Sequence, residues 1–541
     1  MFTYLPLRGA LLLSLLQTAI ASPAYPRNTQ NSTCTKAKVA VLGAGMAGIA
    51  AAQSLHNASI SDFVVIDVNS YIGGRVAHTT FGINSSTKQP YTVELGANWV
   101  QGLVSDGGPE NPIWTLAKKW GLENTYSNYS SIQTYDQDGS ADFARLLDNF
   151  EDAYSTVEQD AGTILTQNLQ DRTMRTGLSI ADWKPKKDMQ MQAAEWWEFD
   201  WEYAYSPDQS SQTWAIVNYN TTFYQFSGDN NYVFDQRGFN YFIESEAYTF
   251  LQSNDTRLHL NTNITSIAYS NSGVTITNAD GSCIQADYAI CTFSLGVLQN
   301  DVVDFQPALP AWKQTGIEGM QMGTYTKIFF QFPPGSDGTF FWEHGPDPAT
   351  QFFLYADPVE RGWYPVFQSL SAPGFIEGSG IFFCNSRSYR AEQQDDDATK
   401  AEVMAVLKKM FGADIPDPID FMYPRWSTEP WAYGSYSNWP PGLSIETHQN
   451  LRANLGRLWF AGEATSAEYY GFLQGRVLMG LKGAYTEGQA VGTTIAECIG
   501  GNKTDCKSEP SYQTVRGCTT SERQLTPENG WFVSSMDTFG F

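Results

Sequence analysis

The 541-residue sequence is poor in histidine and in positive charge, and it has no Cys-x-x-Cys pair. Its five histidines, His56, His78, His259, His344 and His448, are scattered, so the spacing argues against a zinc centre or any other metal site. Only 33 Lys+Arg stand against 57 Asp+Glu, a formal charge of −24. A chain that acidic repels phosphate backbones and anionic lipid heads, which excludes nucleic-acid binding and polybasic membrane attachment, and it attracts small cations. Beyond the N-terminus no run is long and apolar enough to span a bilayer, so no stable membrane association is expected. What is present, 42% hydrophobic and 14% aromatic residues, excludes disorder as the dominant state. The length implies two or three structural units, and the oligomeric state is left open.

Residues 1–21 read as a signal peptide: Arg8 precedes an apolar stretch from Ala10 to Leu16, and Ala19 and Ala21 supply small residues before a cleavage site. A secreted, extracellular protein is therefore expected. Sequons at Asn31, Asn57, Asn84, Asn128, Asn220, Asn254, Asn263 and Asn502 agree with that. Seven cysteines in a secreted chain allow at most three disulfides. Cys506 with Cys518 suggests a local staple in a polar tail, Cys34 with Cys498 could join the chain ends, and Cys283 and Cys291 read as buried small hydrophobes.

Lys38–Leu42 is a short β-branched run that reads as a buried parallel strand. It runs into Gly43-Ala44-Gly45-Met46-Ala-Gly48 and a helix-forming stretch, Ile49–His56, and a second strand, Phe63–Ile66, ends at Asp67. Strand, glycines, helix and an acid about 20 residues on form the dinucleotide-binding fingerprint. Gly43 permits the tight turn, Gly45 admits a pyrophosphate to the backbone, and Gly48 lets the helix lie close. The helix N-terminus brings positive partial charge to the phosphates, and Asp67 can accept both hydroxyls of an adenosine ribose. Gly73-Gly74-Arg75 follows, with an arginine able to fork onto the pyrophosphate. Elsewhere, Val274–Gln285 alternates around an Asp280-Gly281 turn as a hairpin, Tyr288–Phe293 reads as a core strand, and Ala141–Gln167 and Ala398–Met410 as helices.

Together with Glu94-Leu-Gly-Ala-Asn-Trp-Val-Gln-Gly102, Leu458-Trp-Phe-Ala-Gly-Glu463-Ala-Thr and Gly471-Phe-Leu-Gln-Gly475, this chain resembles the flavin amine oxidases, above all the extracellular polyamine oxidases of plants and fungi. The resemblance runs from about Lys38 to Cys498. It implies a mixed α/β and α+β two-domain fold, with a Rossmann-like FAD-binding domain (36–118, 235–315 and 448–500) interleaved with a substrate domain (119–234 and 316–447), and a tail over 501–541. It places Asp67 on the ribose, Gly74 and Arg75 on the pyrophosphate, Ile264 at the adenine, and Gly462 and Glu463 near the ribityl or diphosphate. Gly96, Ala97, Asn98 and Trp99 would border the isoalloxazine, and Trp426 would pack beside it. No cysteine lies near Tyr433–Tyr436, so the resemblance implies noncovalent FAD.

The implied chemistry is oxidation of an amine to an imine, with dioxygen as the final acceptor. Lys327 matches the family's lysine, linked through water to the flavin, and desolvation there should lower its pKa. Read without the family, it would be an ordinary strand-edge lysine. Tyr436 and Phe472 match the aromatic pair that sandwiches the substrate, with Tyr325 a neighbour; the usual tyrosine is a phenylalanine at Phe472. Where plant polyamine oxidases carry tunnel acids, this chain has Gln101 and Tyr205, which attract an ammonium more weakly; Glu195, Glu198, Asp200 and Glu202 offer carboxylates nearby. Two other readings stay open. An L-amino acid oxidase would need an arginine for the substrate carboxylate, with Arg237, Arg361 and Arg425 as candidates; a catalytically silent secreted flavoprotein would need none of this.

Overall fold

The strand Thr35–Leu42 touches solvent at its start and is fully enclosed from Val39 onward. This belongs to a computed structural model that describes residues 34–104, 108–167, 169–223, 226–386, 389–474, 483–501 and 506. The signal segment, Asn31, residues 475–482, Asn502 and Cys518 lie outside the described residues. The β-branched character of the strand suits burial on both faces, since a parallel sheet is covered on each side. It pairs in parallel with Phe63–Ile66 on one side and Cys283–Cys291 on the other. Leu458–Phe460 also pairs in parallel with the inner end of Cys283–Cys291. The expected hairpin is present, Val274–Asn278 running antiparallel to Cys283–Cys291 around Gly281 at φ +84°. Eight strands make up this sheet.

Topology then dictates where a ligand can lie. Leu42, Ile66, Cys291 and Phe460 all end at the same edge, so Gly43, Asp67, Thr292 and Gly462 meet there. In open parallel sheets the crevice beyond the carboxyl ends of the strands is the binding site. The helix Met46–Asn57 leaves that edge from a Gly45 N-cap. Its other face meets the helix Ala484–Ile499 at very close range: a Cβ on Gly488 would stand 2.1 Å from the Ala47 carbonyl, and one on Gly492 2.5 Å from that of Ala51. Small residues on both helices permit this approach.

A second, seven-stranded sheet carries Thr326–Gln331 between the antiparallel strands Ile381–Ser386 and Asp420–Met422. Alternation gives its two faces different neighbours. Ile328 and Phe330 enter one aromatic core with Phe382 and Trp342, whereas Phe329 packs with Phe81, Tyr91 and Val93. Lys327 shares the Phe329 face and so points at the hairpin His78–Phe81/Tyr91–Glu94. It is 2% exposed, not the strand-edge surface lysine of the family-blind reading.

The expected helices appear as Arg145–Thr166 and Asp396–Phe411, the latter capped by Asp395, whose side chain accepts from Ala398 N at 2.8 Å. Cysteine pairing differs from expectation. Cys34 joins Cys283, because the parallel register that sets Thr35 against Ile284 brings them opposite each other, and Cys498 joins Cys506 just past the last helix. Cys283 is therefore no free hydrophobe, while Cys291 is free and buried as expected. The sequon residue Asn220 is 2% exposed within the helix Gln212–Phe223, leaving no room for a glycan in the folded chain. Among the described residues no helix is long and apolar enough to cross a membrane.

Candidate active site

One cavity of about 720 Å³ runs from the edge of the large sheet to the Lys327 face of the second. At its first end lie Gly43, Gly45, Met46, Asp67, Gly74, Arg75 and Ile264, all of them predicted cofactor residues, which the structure brings together here. Gly43 adopts φ +117°, and a Cβ there would sit 2.3 Å from Thr292 Oγ1. Gly48 is not on the wall; its missing Cβ, which would fall 1.9 Å from the Gly43 carbonyl, is what lets helix and turn close up. Ala44 is off the wall too, because its N–H donates to Asp67 Oδ2 at 2.6 Å. Asn69 N donates to Oδ1 at 2.8 Å, so two backbone amides fix the Asp67 carboxylate. Burial pushes that carboxyl up against the lowering effect of those bonds.

Midway along the cavity, Arg75 Nη1 lies 2.9 Å from Glu463 Oε1 and 2.8 Å from the Ser435 carbonyl. Glu463 Oε2 accepts from Ser437 Oγ at 2.5 Å and from Gly471 N at 2.8 Å. Both residues line the cavity. Gly462, at φ +149°, lets the chain turn out of its strand to present Glu463. Trp426 is held by its indole N–H on the Leu95 carbonyl at 3.3 Å and stands against Gly96.

At the far end Lys327 Nζ donates to the Gly96 carbonyl at 2.6 Å, to the Glu94 carbonyl at 3.2 Å and to Asn98 Oδ1. It stands 5.4 Å from the Trp99 ring. Burial lowers its pKa, against the pull of the Glu94 carboxylate, and burial in turn raises that carboxyl. Three acceptors match the three N–H bonds of an ammonium; in the neutral amine one acceptor loses its donor. Burial thus makes the neutral amine easier to reach here than in a free lysine.

Around it, Tyr325, Tyr436, Phe472, Ala97, Trp99 and Gln101 line the wall together with Tyr129, Trp201, Glu202 and Tyr470. Tyr325 donates to Asn385 Oδ1 at 2.8 Å and accepts from Trp201 Nε1. Its ring is 6.1 Å from that of Tyr436. Gln101 Nε2 donates to both oxygens of Glu202, at 3.3 and 3.2 Å. Burial raises the Glu202 carboxyl to about 7, while the Gln101 bond lowers it. Tyr205 departs from expectation: its hydroxyl donates to the Met322 carbonyl at 2.9 Å, which turns it away from the cavity.

A model of the flavin containing amine oxidoreductases matches residues 46–486. The chain belongs to this family. Polyamine oxidase 1 of Zea mays is 35% identical over 470 residues, covering 83% of this chain and 89% of that protein. Polyamine oxidase 7 of Oryza sativa subsp. japonica is 35% identical over 465 residues, covering 82% and 93%. Putrescine oxidase with putrescine bound shares the fold, with TM-score 0.64 at 17% identity over 86% of this chain and all 100% of that one.

The cofactor of a flavin amine oxidase, FAD, fits the residues present. Gly45 is the telling position. Its backbone is extended, not left-handed, and a Cβ would meet nothing nearer than the Gly73 carbonyl at 3.8 Å. The fold does not need glycine there; a ligand pressed against that backbone does. Asp67 at the sheet edge and Arg75 midway along the cavity are polar groups of the kind such a ligand requires.

Among the described residues, no cysteine lines the cavity and Arg75 is the only arginine that does. Arg361 is bound to Glu195 and Asp200, Arg425 to Asp396, and Arg237 to Asp235. Sequence reasoning offered Glu202 only as one of four nearby carboxylates, and missed Tyr129 and Trp201. For Trp201 and Glu202 the reason is local: Trp196–Asp200 is a π-turn and Ala204 sits at φ +54°, so neither helical nor strand spacing reveals which residues face inward.

Proposed function

We propose that this flavin amine oxidase acts outside the cell on an amine with a second, distal ammonium group, a polyamine of the spermidine or spermine class, and that it holds FAD noncovalently. The observation that carries the substrate class is Glu202, a carboxylate on the cavity wall steadied by Gln101 and flanked by Tyr129 and Trp201. A carboxylate among aromatic rings favours an alkyl ammonium and repels a carboxylate-bearing substrate. The one arginine on the wall, Arg75, lies midway along the cavity beside Glu463 and not at the Lys327 end, which removes support for an amino-acid substrate. Support for an interleaved organisation comes from the two sheets, one ending at Gly43 and Asp67 and the other presenting Lys327.

Bound FAD supplies the acceptor for the hydride equivalent leaving the carbon beside nitrogen, and dioxygen then takes the electrons to give hydrogen peroxide. The rest falls to the chain. Tyr436 and Phe472 align the carbon–nitrogen axis, Glu202 holds the distal ammonium, and the aromatic wall excludes water. Reaction requires the proximal amine to be uncharged, and Lys327 Nζ, whose ammonium is disfavoured by burial, is the base available to hold its proton. The imine product hydrolyses to an aminoaldehyde.

The test is peroxide release from the purified full chain with spermidine, spermine, acetylated polyamines, monoamines and L-amino acids. Turnover of polyamines above the others is expected. Preference for an L-amino acid, or flavin colour with no peroxide from any amine, overturns the reading.

A further inference from the structure

Arg361 lies off the cavity, in the turn between the strands Phe352–Tyr355 and Val366–Ser369. It grips two carboxylates of one helical segment. Nη1 donates to Asp200 Oδ2 at 2.7 Å; Nη2 donates to Asp200 Oδ1 at 2.7 Å and to Glu195 Oε1 at 2.8 Å. Both carboxylate side chains are 0% exposed. Glu195 is the last residue of the helix Met189–Glu195, and Asp200 is the last of the π-turn Trp196–Asp200.

That spacing matters. Five residues at about 100° each would set the two side chains about 140° apart around a regular α-helix, beyond the span of one guanidinium. The wider π-turn brings them to one side, so the Arg361 grip and the π-turn require each other. Neighbouring groups hold the same geometry. Trp183 Nε1 donates to Glu195 Oε2 at 2.9 Å, Arg175 also reaches Glu195, and Gly362, at φ +76°, lets the turn press on Trp196.

Immediately after the π-turn come Trp201 and Glu202, both on the cavity wall. Trp201 stacks on Trp197 at 4.4 Å, donates to the Tyr325 hydroxyl, and offers its carbonyl to the Tyr436 hydroxyl at 3.4 Å. Removing the extra residue's worth of turn would rotate this pair by about 100° and carry the carboxylate off the wall.

We propose that Arg361 is a positioning residue for substrate choice: by holding Glu195 and Asp200 together it keeps the π-turn wound, and the π-turn aims Glu202 and Trp201 into the cavity. The substrate side of this rests on the reading that Glu202 receives a distal ammonium. Arginine at this position thus acts on the far end of the substrate without touching it.

The experiment compares flavin-loaded wild type with Arg361→Gln and Arg361→Lys. Two competitive ligands of equal chain length are used, 1,8-diaminooctane and octylamine, with hydrogen exchange followed over residues 196–204. In Arg361→Gln the diamine Ki rises about tenfold, the octylamine Ki stays within about twofold, and exchange in 196–204 quickens, as loss of a charged hydrogen-bond grip predicts. Arg361→Lys, which can hold one carboxylate at a time, falls between. An unchanged ratio of the two Ki values with unchanged exchange overturns the proposal, and if Arg361→Gln does not fold, Arg361→Lys decides on the same readings. A wild type that binds both ligands equally refutes the distal-ammonium reading instead, and exchange alone then decides whether Arg361 holds the turn.

Discussion

Arg75 and Glu463, 388 positions apart in the chain, meet at 2.9 Å in the middle of the cavity. The pair ties the glycine-rich segment after Asp67 to the turn after the last parallel strand, and Ser437 and Gly471 complete the shell of the carboxylate. Glu463→Gln puts an amide NH2 among groups that are themselves donors, costing about 1.5–3 kcal/mol. The variant should elute from gel filtration with less flavin and unfold at lower denaturant than wild type.

Lys327→Met should leave FAD bound and slow turnover by about a hundredfold, the scale of a lost acid–base group. Because burial lowers the pKa of Lys327, its neutral fraction grows with pH at values below those of a free lysine. A limb in the wild-type rate that rises with pH below the range of a free lysine should be absent in the variant. Stopped-flow measurement of both half-reactions checks this; rates equal to wild type would remove Lys327 from the mechanism.

Gly45 and Gly48, three residues apart, should behave oppositely. Gly48→Ala drives a methyl into the Gly43 carbonyl and should lower the melting temperature of the apoprotein. Gly45→Ala meets only ordinary contacts and should melt with wild-type apoprotein, yet fail to take up FAD on reconstitution. Flavin absorbance after dialysis separates the two.

Glu198 offers a stability test by pH. Burial, reinforced by Glu151 and Asp148, raises its carboxyl to about 8 from an ordinary 4.5. Between those values the native state binds the extra proton, so stability from this group is lost as pH climbs toward 8. Glu198→Gln should therefore raise the melting temperature at pH 8 more than at pH 5. Equal shifts at both values would mean the carboxyl is not held protonated.

Much of the cofactor half was legible because its constraints are local. Gly43, Gly45 and Asp67 are needed within one βαβ unit, and their spacing survives in any one sequence. Lys327 was legible only through resemblance, since nothing in Thr326–Gln331 says which of its buried faces meets Glu94 and Gly96. Tyr205 and Glu202 were exchanged in importance because the π-turn and the left-handed Ala204 shift the phase of the segment. Cys34 and Cys283 illustrate the same limit: their pairing follows from strand order, which is a property of the sheet and not of either segment.

Close contact between the helices Met46–Asn57 and Ala484–Ile499 carries a consequence for biogenesis. The first nucleotide-binding unit emerges early from the ribosome, but the face of its outer helix that meets Gly488 and Gly492 stays uncovered until those residues have been synthesised, and the strand Leu458–Phe460 arrives equally late. Until then the nascent N-terminal region exposes an unsealed alanine-rich surface, so this layer closes only when nearly the entire polypeptide has been made.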